Sequence, residues 1–279
     1  MGRFAFVGSA VFALLASACG QSSDRPDNIH VSNGGSGGTV GGGGGGSPNV
    51  GGAPCEPKPG QGSTMTGNMI TYDAFLSELL PFNGDAEIRA QGATCSWVTD
   101  IWHSSDPPEG DAGVPLFHLE GLKKQDTAWF HLYPQPNQGV YPTLIAANAT
   151  SDHEILDGFG LLRMDSVDEV YTATGTPRDP KKGTMIVQLI TPQTKEPVSG
   201  GEVDLGTAAA PAYPGLGGWQ LGGQTDVSGV AVMLNATSKA FPGQSWTVNV
   251  TLSGVKQSFK CPAEDGAVTI CWIGVQVGG

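Results

Sequence analysis

Past its first fifth, the chain runs in short apolar–polar alternations punctuated by Gly, Pro and Asp. The cleanest run is residues 245–252, where Trp246, Val248, Val250 and Leu252 alternate with Thr247, Asn249 and Thr251. Successive side chains of a strand point to opposite faces, so a period of two predicts a half-buried β-strand. Residues 127–133, 184–190, 230–234 and 268–277 predict further strands. Residues 258–261 predict another, and the Glu264-Asp265-Gly266 that follows reads as a hairpin turn. One helix is predicted. Ser166-Val167-Asp168-Glu169 has the form of a capping box, in which Ser166 accepts from the backbone at Glu169. Val170, Tyr171 and Ala173 follow, and Gly175 and Pro177 stop it. So short a helix is expected to pack beside a sheet and connect two domains. Arg178-Asp179-Pro180-Lys181-Lys182-Gly183 is then a polar boundary.

The first fifth has a different pattern. After Arg3, residues 4–15 form an apolar run. It is too short to span a bilayer as a helix and suits the core of a signal peptide. Leu15-Ala16-Ser17-Ala18-Cys19-Gly20 follows and resembles the lipobox of bacterial lipoproteins. The usual Leu three places before the cysteine is here Ala16, with Leu15 one place early. The resemblance implies that Cys19 is acylated, with the lipid as the membrane anchor. The competing reading is an ordinary signal peptide cut near the small residues, with Cys19 left over. Acyl methylenes, each stabilising membrane insertion by about 0.8 kcal/mol, make such an anchor firm. Residues 20–62 are nearly devoid of apolar side chains and rich in glycine, so they are expected to stay disordered. A glycine-rich tether of that length reaches roughly 35 Å. Its Gly34-Gly35-Ser36-Gly37-Gly38 matches G-x-S-x-G formally, without the strand–turn–helix context that motif needs.

Composition narrows the function. The net charge of −12 argues against nucleic acid and against electrostatic binding to anionic lipid, since both require basic patches. The abundant glycine, with scarce charge, suits short strands joined by turns. Lipidation of Cys19 would leave four of the five cysteines, an even number suited to disulfides outside the cytoplasm. Cys261 and Cys271 flank the predicted hairpin turn and are expected to bond across it. Cys55 ends the tether, and a bond to Cys95 on a strand would pin it to the fold.

Two stretches look alike. Pro197-Val198-Ser199-Gly200 leads through Val203 to Thr225-Asp226-Val227-Ser228-Gly229 and the apolar run from Val230. Upstream, Pro81-Phe82-Asn83-Gly84 leads through Ile88 to Val98-Thr99-Asp100, with residues 101–112 as an insertion. The later copy resembles the carboxypeptidase regulatory-like domain, a transthyretin-like β-sandwich. The resemblance rests on the strand, the Pro-x-x-Gly-x-x-Val and the Thr-Asp-x-x-Gly before alternating apolar residues, and spans about residues 183–279. It implies a structural or ligand-presenting module that does no chemistry. In physical terms Pro197 and Gly200 set a turn, and Asp226 caps the Ser228-Gly229 turn through an Asx bond.

Candidate chemistry is sparse. None of His30, His103, His118, His131 and His153 lies in a zinc motif such as H-E-x-x-H. Phosphate-loop, dinucleotide and C-x-x-C patterns are missing from the sequence. Asp100, Asp106, Glu109 and Asp111 could serve calcium, but a solvated acidic loop is the plainer reading. Strand tryptophans usually pack cores. Trp102 and Trp219, in loop-like settings, are the candidate sugar or ligand contacts. The N-x-T sequons at Asn148, Asn235 and Asn249 mean little on a lipid-anchored bacterial protein.

The expectation is an all-β chain of two tandem transthyretin-like or Ig-like sandwiches. Its segments are a lipoprotein signal peptide (1–19), a tether (20–62), a first sandwich (63–165), a short helix and connector (166–182) and a second sandwich (183–279). The repeat predicts that residues 183–279 fold alone. The expected function is non-enzymatic and cofactor-free: a cell-envelope module, membrane-anchored by lipid, that displays its sandwiches to a protein or glycan partner. The alternatives are a carbohydrate-binding sandwich and a metal-dependent enzyme of intradiol-dioxygenase-like fold, whose paired histidines one residue apart are missing here.

Overall fold

The computed structural model describes residues 61–94, 96–109, 113–206, 210–238 and 245–276. The signal sequence, Cys19, the tether up to residue 60, His30, Cys55, Cys95 and Asp111 lie outside them. The described chain is all-β with one helix. Its first part comprises β1 (Ser63–Tyr72), β2 (Leu79–Pro81), β3 (Asp85–Ala90), β4 (Val98–His103), β5 (Phe117–Leu122), β6 (Ala128–Pro134), β7 (Val140–Tyr141), β8 (Thr143–Ala147) and β9 (His153–Arg163). The helix α1 (Met164–Ala173) follows directly. The second part comprises β10 (Gly183–Ile190), β11 (Glu202–Asp204), β12 (Ala212–Gly215), β13 (Gly218–Leu221), β14 (Val230–Ala236), β15 (Trp246–Leu252), β16 (Val255–Cys261) and β17 (Val268–Gly274).

These strands make three sheets. One has the order β2-β1-β9-β7, with β5 also on β1; another is β11-β15-β16. The third runs through both parts of the chain in the order β13-β12-β14-β10-β17-β8-β6-β3-β4. The join is a parallel pair, Val268 opposite Thr143 and Thr269 opposite Leu144. At one end of the large sheet Ile88, Phe130 and Ile145 face Met65, Leu161 and Phe159 of the β1 sheet, closing a first core. At the other end Met185, Val187, Ala231 and Ile273 face Val248, Val250 and Phe259 of the small sheet, closing a second. The reverse face of that end is apolar as well. Ile186, Val230, Val232, Leu234 and Ile270 join the first core, which also takes in Val167 and Val170 of α1. Strands from both sides of residues 166–182 therefore share one sheet and one core. Strand β10 is buried at every position, the signature of a strand covered on both faces.

The turn reading of the second copy matches the structure. Asp226 Oδ1 accepts from the Ser228 N–H at 2.9 Å and from its hydroxyl at 2.6 Å. Gly229 has φ +69°, and a Cβ there would lie 2.6 Å from the Leu189 carbonyl oxygen, so the turn requires glycine. The Thr225 hydroxyl donates to the Val198 carbonyl and accepts from the Gly201 N–H, tying both motifs together. The earlier stretch does not repeat this, because Thr99 and Asp100 lie within β4.

Two local expectations are corrected. The helix starts at Met164, with Arg163 as N-cap and no side-chain cap bond. The Ser166 hydroxyl instead accepts from the Ala74 N–H at 2.6 Å, a tertiary contact that displaces the capping box. Its end follows the sequence: the Gly175 N–H bonds the Thr172 carbonyl and the Thr176 N–H bonds that of Tyr171, a Schellman closure with Gly175 at φ +64°. The hairpin is also elsewhere. Strand β16 pairs with β15 around Ser253-Gly254, both at positive φ, and residues 262–267 then carry the chain into the other sheet. The Cys261–Cys271 disulfide thus joins two sheets, with Cα atoms 6.4 Å apart, rather than two arms of a hairpin.

Candidate functional site

Neither tryptophan chosen from the sequence is a ligand platform. Trp102 lies in β4 and is 3 % exposed; its ring stacks on Phe82 at 5.7 Å and its indole N–H donates to the Pro115 carbonyl. Trp219 lies in β13, is 4 % exposed and packs on Phe75 at 4.7 Å. Alternation within each strand turns these rings inward, a fate invisible in their glycine- and aspartate-rich sequence neighbourhoods. The described acidic residues of the insertion bind histidine-bearing strands instead. His103 Nδ1 meets Asp85 at 2.8 Å, His118 Nε2 meets Glu109 at 3.0 Å, and Asp100 accepts from the His118 backbone N–H. Among the described residues no three His, Cys, Asp or Glu side chains converge as metal ligands would.

A half-buried polar cluster around the buried His131 marks the seam between the layers. His131 and Tyr133 on β6 both reach Glu264, on the connection after β16, at 3.0 and 3.1 Å. The Arg89 guanidinium lies 4.9 Å from the Tyr133 ring centre and is held by Glu87. Trp97 meets the His131 ring edge-on at 5.0 Å. Burial drives the Glu264 carboxyl upward, but the bonds from His131 and Tyr133 and the nearby Arg89 outweigh it and hold the group below its ordinary value. Burial and the adjoining carboxylate raise the Tyr133 phenol well above its usual range. The cluster locks β6 to the second layer; His131 is buried, while Tyr133, Arg89 and Glu264 are half-buried.

An open cleft of about 640 Å³ lies where α1 ends. Its walls are Tyr141 from β7, Asp168, Tyr171 and Thr172 from α1, and the turn from Gly175 to Arg178. The Tyr141 hydroxyl donates to Asp168 Oδ1 at 2.6 Å. Burial first, then this bond, raise the Tyr141 phenol well above its usual range, so it remains a donor. The Arg178 guanidinium stacks 3.9 Å from the Tyr141 ring centre, and Nη2 donates to the Gly266 carbonyl at 3.1 Å. Asn235, at φ +51°, fixes the turn: its Nδ2 donates to the Pro177 carbonyl and its Oδ1 accepts from the Asp179 N–H, both at 2.9 Å. Of these residues the sequence named Asp168 and Tyr171 in the helix, the Gly175–Pro177 stop, Arg178 in the polar boundary and Asn235 as a sequon, but not their meeting with Tyr141. A guanidinium just after a helix stop was the available signal.

No protein-family model matches the chain, and no curated protein matches it. Among solved structures, the shaft pilin SpaA from Lactobacillus rhamnosus GG, in a doubly substituted form, is similar at 11 % identity and a TM-score of 0.20, covering 78 % of this chain and 99 % of that one. A second structure of the same pilin gives 9 % identity and a TM-score of 0.20 over 78 % of this chain and 99 % of that one. Likeness at that TM-score carries no argument about fold or function.

Proposed function

We propose that this chain is a non-enzymatic, lipid-anchored protein of the cell envelope, which holds a stiff β-body on a glycine tether for binding a protein or glycan. The observation that carries the reading is the Cys261–Cys271 disulfide between two sheets. Stable disulfides belong to oxidising compartments, which supports a location outside the cytoplasm for the folded part. The lipobox-like Leu15-Ala16-Ser17-Ala18-Cys19 supplies an export and anchoring route to the same place. Gly20, rather than Asp, after the cysteine favours the outer membrane in a cell that has one. The glycan form of the reading moves from Trp102 and Trp219 to the cleft beside α1. The seam cluster supports a structural role for His131 and Tyr133, since the His131 Nδ1 and the Tyr133 hydroxyl are engaged by Glu264.

Cys19→Ser tests the anchor. The variant is expected to move from the membrane fraction to the soluble extracytoplasmic fraction and to lose labelling by a fatty-acid probe. Unchanged membrane association would refute the anchor.

A further inference from the structure

We propose that the cleft between α1 and β7 binds an acidic saccharide, whose carboxylate is held by Arg178. This deepens, and rests on, the reading of the protein as a binding module. Among the described residues, Arg89 pairs with Glu87 and Arg163 with Glu78. Arg178 has no carboxylate within ion-pair distance, although acidic residues outnumber Lys and Arg 26 to 14. Its position is nonetheless fixed on two sides, by the Tyr141 ring and the Gly266 carbonyl; its Nε is buried, so the donors it offers a ligand are those of the terminal nitrogens that the Gly266 bond does not use. An immobilised guanidinium with unspent charge and donors is what a carboxylate ligand requires, because its planar fork matches two carboxylate oxygens and little ordering entropy remains to be lost.

The other walls define the rest of the ligand. Thr172 and Thr176 contribute hydroxyls, and Asp168 gives only Oδ1 to Tyr141, leaving Oδ2 as an acceptor. A ligand satisfying both ends carries one negative group and several donating hydroxyls. Uronate-type sugars combine the two on one ring. A bare anion would use Arg178 alone and be repelled by Asp168; a neutral sugar would leave Arg178 unpaired. The cleft's volume of about 640 Å³ suits one to a few sugar rings.

The test titrates the detergent-solubilised full chain at low salt with trigalacturonate, galactotriose and sodium acetate, read by calorimetry. Saturable binding of trigalacturonate is expected, at least tenfold tighter than galactotriose or acetate and weakened by added salt. Arg178→Gln should cost tenfold or more, with part recovered in Arg178→Lys. Thr172→Trp adds bulk at an exposed rim position and touches none of the Arg178 contacts; it should abolish binding while thermal unfolding stays unchanged. Equal affinity for the neutral sugar, tight binding of acetate alone, wild-type affinity in Thr172→Trp, or no saturable trigalacturonate binding would each overturn the proposal. If trigalacturonate fails while the protein still binds another purified envelope polymer, the cleft assignment falls and the display reading stands. If it binds none, both fall.

Discussion

Glu264 lies on a loop between strands, yet both of its carboxylate oxygens are taken by side chains of β6, more than a hundred positions away in the chain. Its carboxyl is held below the ordinary value near 4.5. A depressed carboxyl contributes stability above its unfolded pKa, and that stability is lost as pH falls through the folded value. Glu264→Gln is therefore expected to lower stability at neutral pH by roughly 1–3 kcal/mol, the cost of disturbing a buried polar network. The gap between variant and wild type should narrow as pH falls from the ordinary carboxyl value through the depressed folded one, where wild type too becomes protonated; denaturant titrations at pH 7 and pH 3 measure it. The phenols respond at the opposite end of the scale. Tyr133, Tyr141 and Tyr213 are raised, each chiefly by burial. A raised phenol supports the fold below its unfolded pKa and withdraws that support as pH climbs. Absorbance at tyrosinate wavelengths should show Tyr133 and Tyr141 silent near pH 10, appearing only with unfolding, and Tyr213 ionising later than a free phenol. Local chemistry of this scale was legible where both partners are near in sequence, as for Asp226 and Ser228. Glu264, Asn235 and Arg178 were not, because their partners come from distant strands.

At the scale of elements, period-two alternation found β15 within one residue, and the Gly175–Pro177 stop found the end of α1. The failures share a cause. Glu264-Asp265-Gly266 has good hairpin chemistry, but turn residues report only that the chain bends, not which sheet it enters next. The true hairpin turn, Ser253-Gly254, carries an equally local signal. The cost of that ambiguity is mechanical, since a hairpin bond would restrain one sheet and the bond observed restrains two. Closing a loop of sequence separation 10, Cys261–Cys271 should stabilise by roughly 2–3 kcal/mol. The Cys261→Ala/Cys271→Ala double variant is expected to lose that amount in denaturant titration, and non-reducing peptide mapping of the wild type should link those two cysteines. A wild-type map with both thiols free would contradict the assignment.

The whole molecule turns on the parallel contact of β8 with β17, which no alternation pattern in either strand announces. A clue did exist in β10, where Thr184-Met185-Ile186-Val187 offers no polar face and Gln188 spends its amide on Trp272 and the Ser228 carbonyl. A strand of an independent sandwich would keep one face for water; this one has two faces to cover. The repeat in the sequence predicts that residues 183–279 fold alone, whereas the shared sheet implies the reverse. Excision would uncover Ile186, Val230, Val232, Leu234, Val268 and Ile270, all buried in the first core. Fully burying a large aliphatic side chain stabilises by roughly 1.5–3 kcal/mol, so the loss rivals the 5–15 kcal/mol that holds a typical domain together. The fragment is expected to self-associate through that face or to melt without a sharp transition, while the intact chain unfolds in one step. Calorimetry paired with sedimentation decides it. A monomeric fragment with a sharp transition would show that the inner layer of residues 183–279, stapled by Cys261–Cys271, is sufficient by itself and that the shared sheet only docks two finished units.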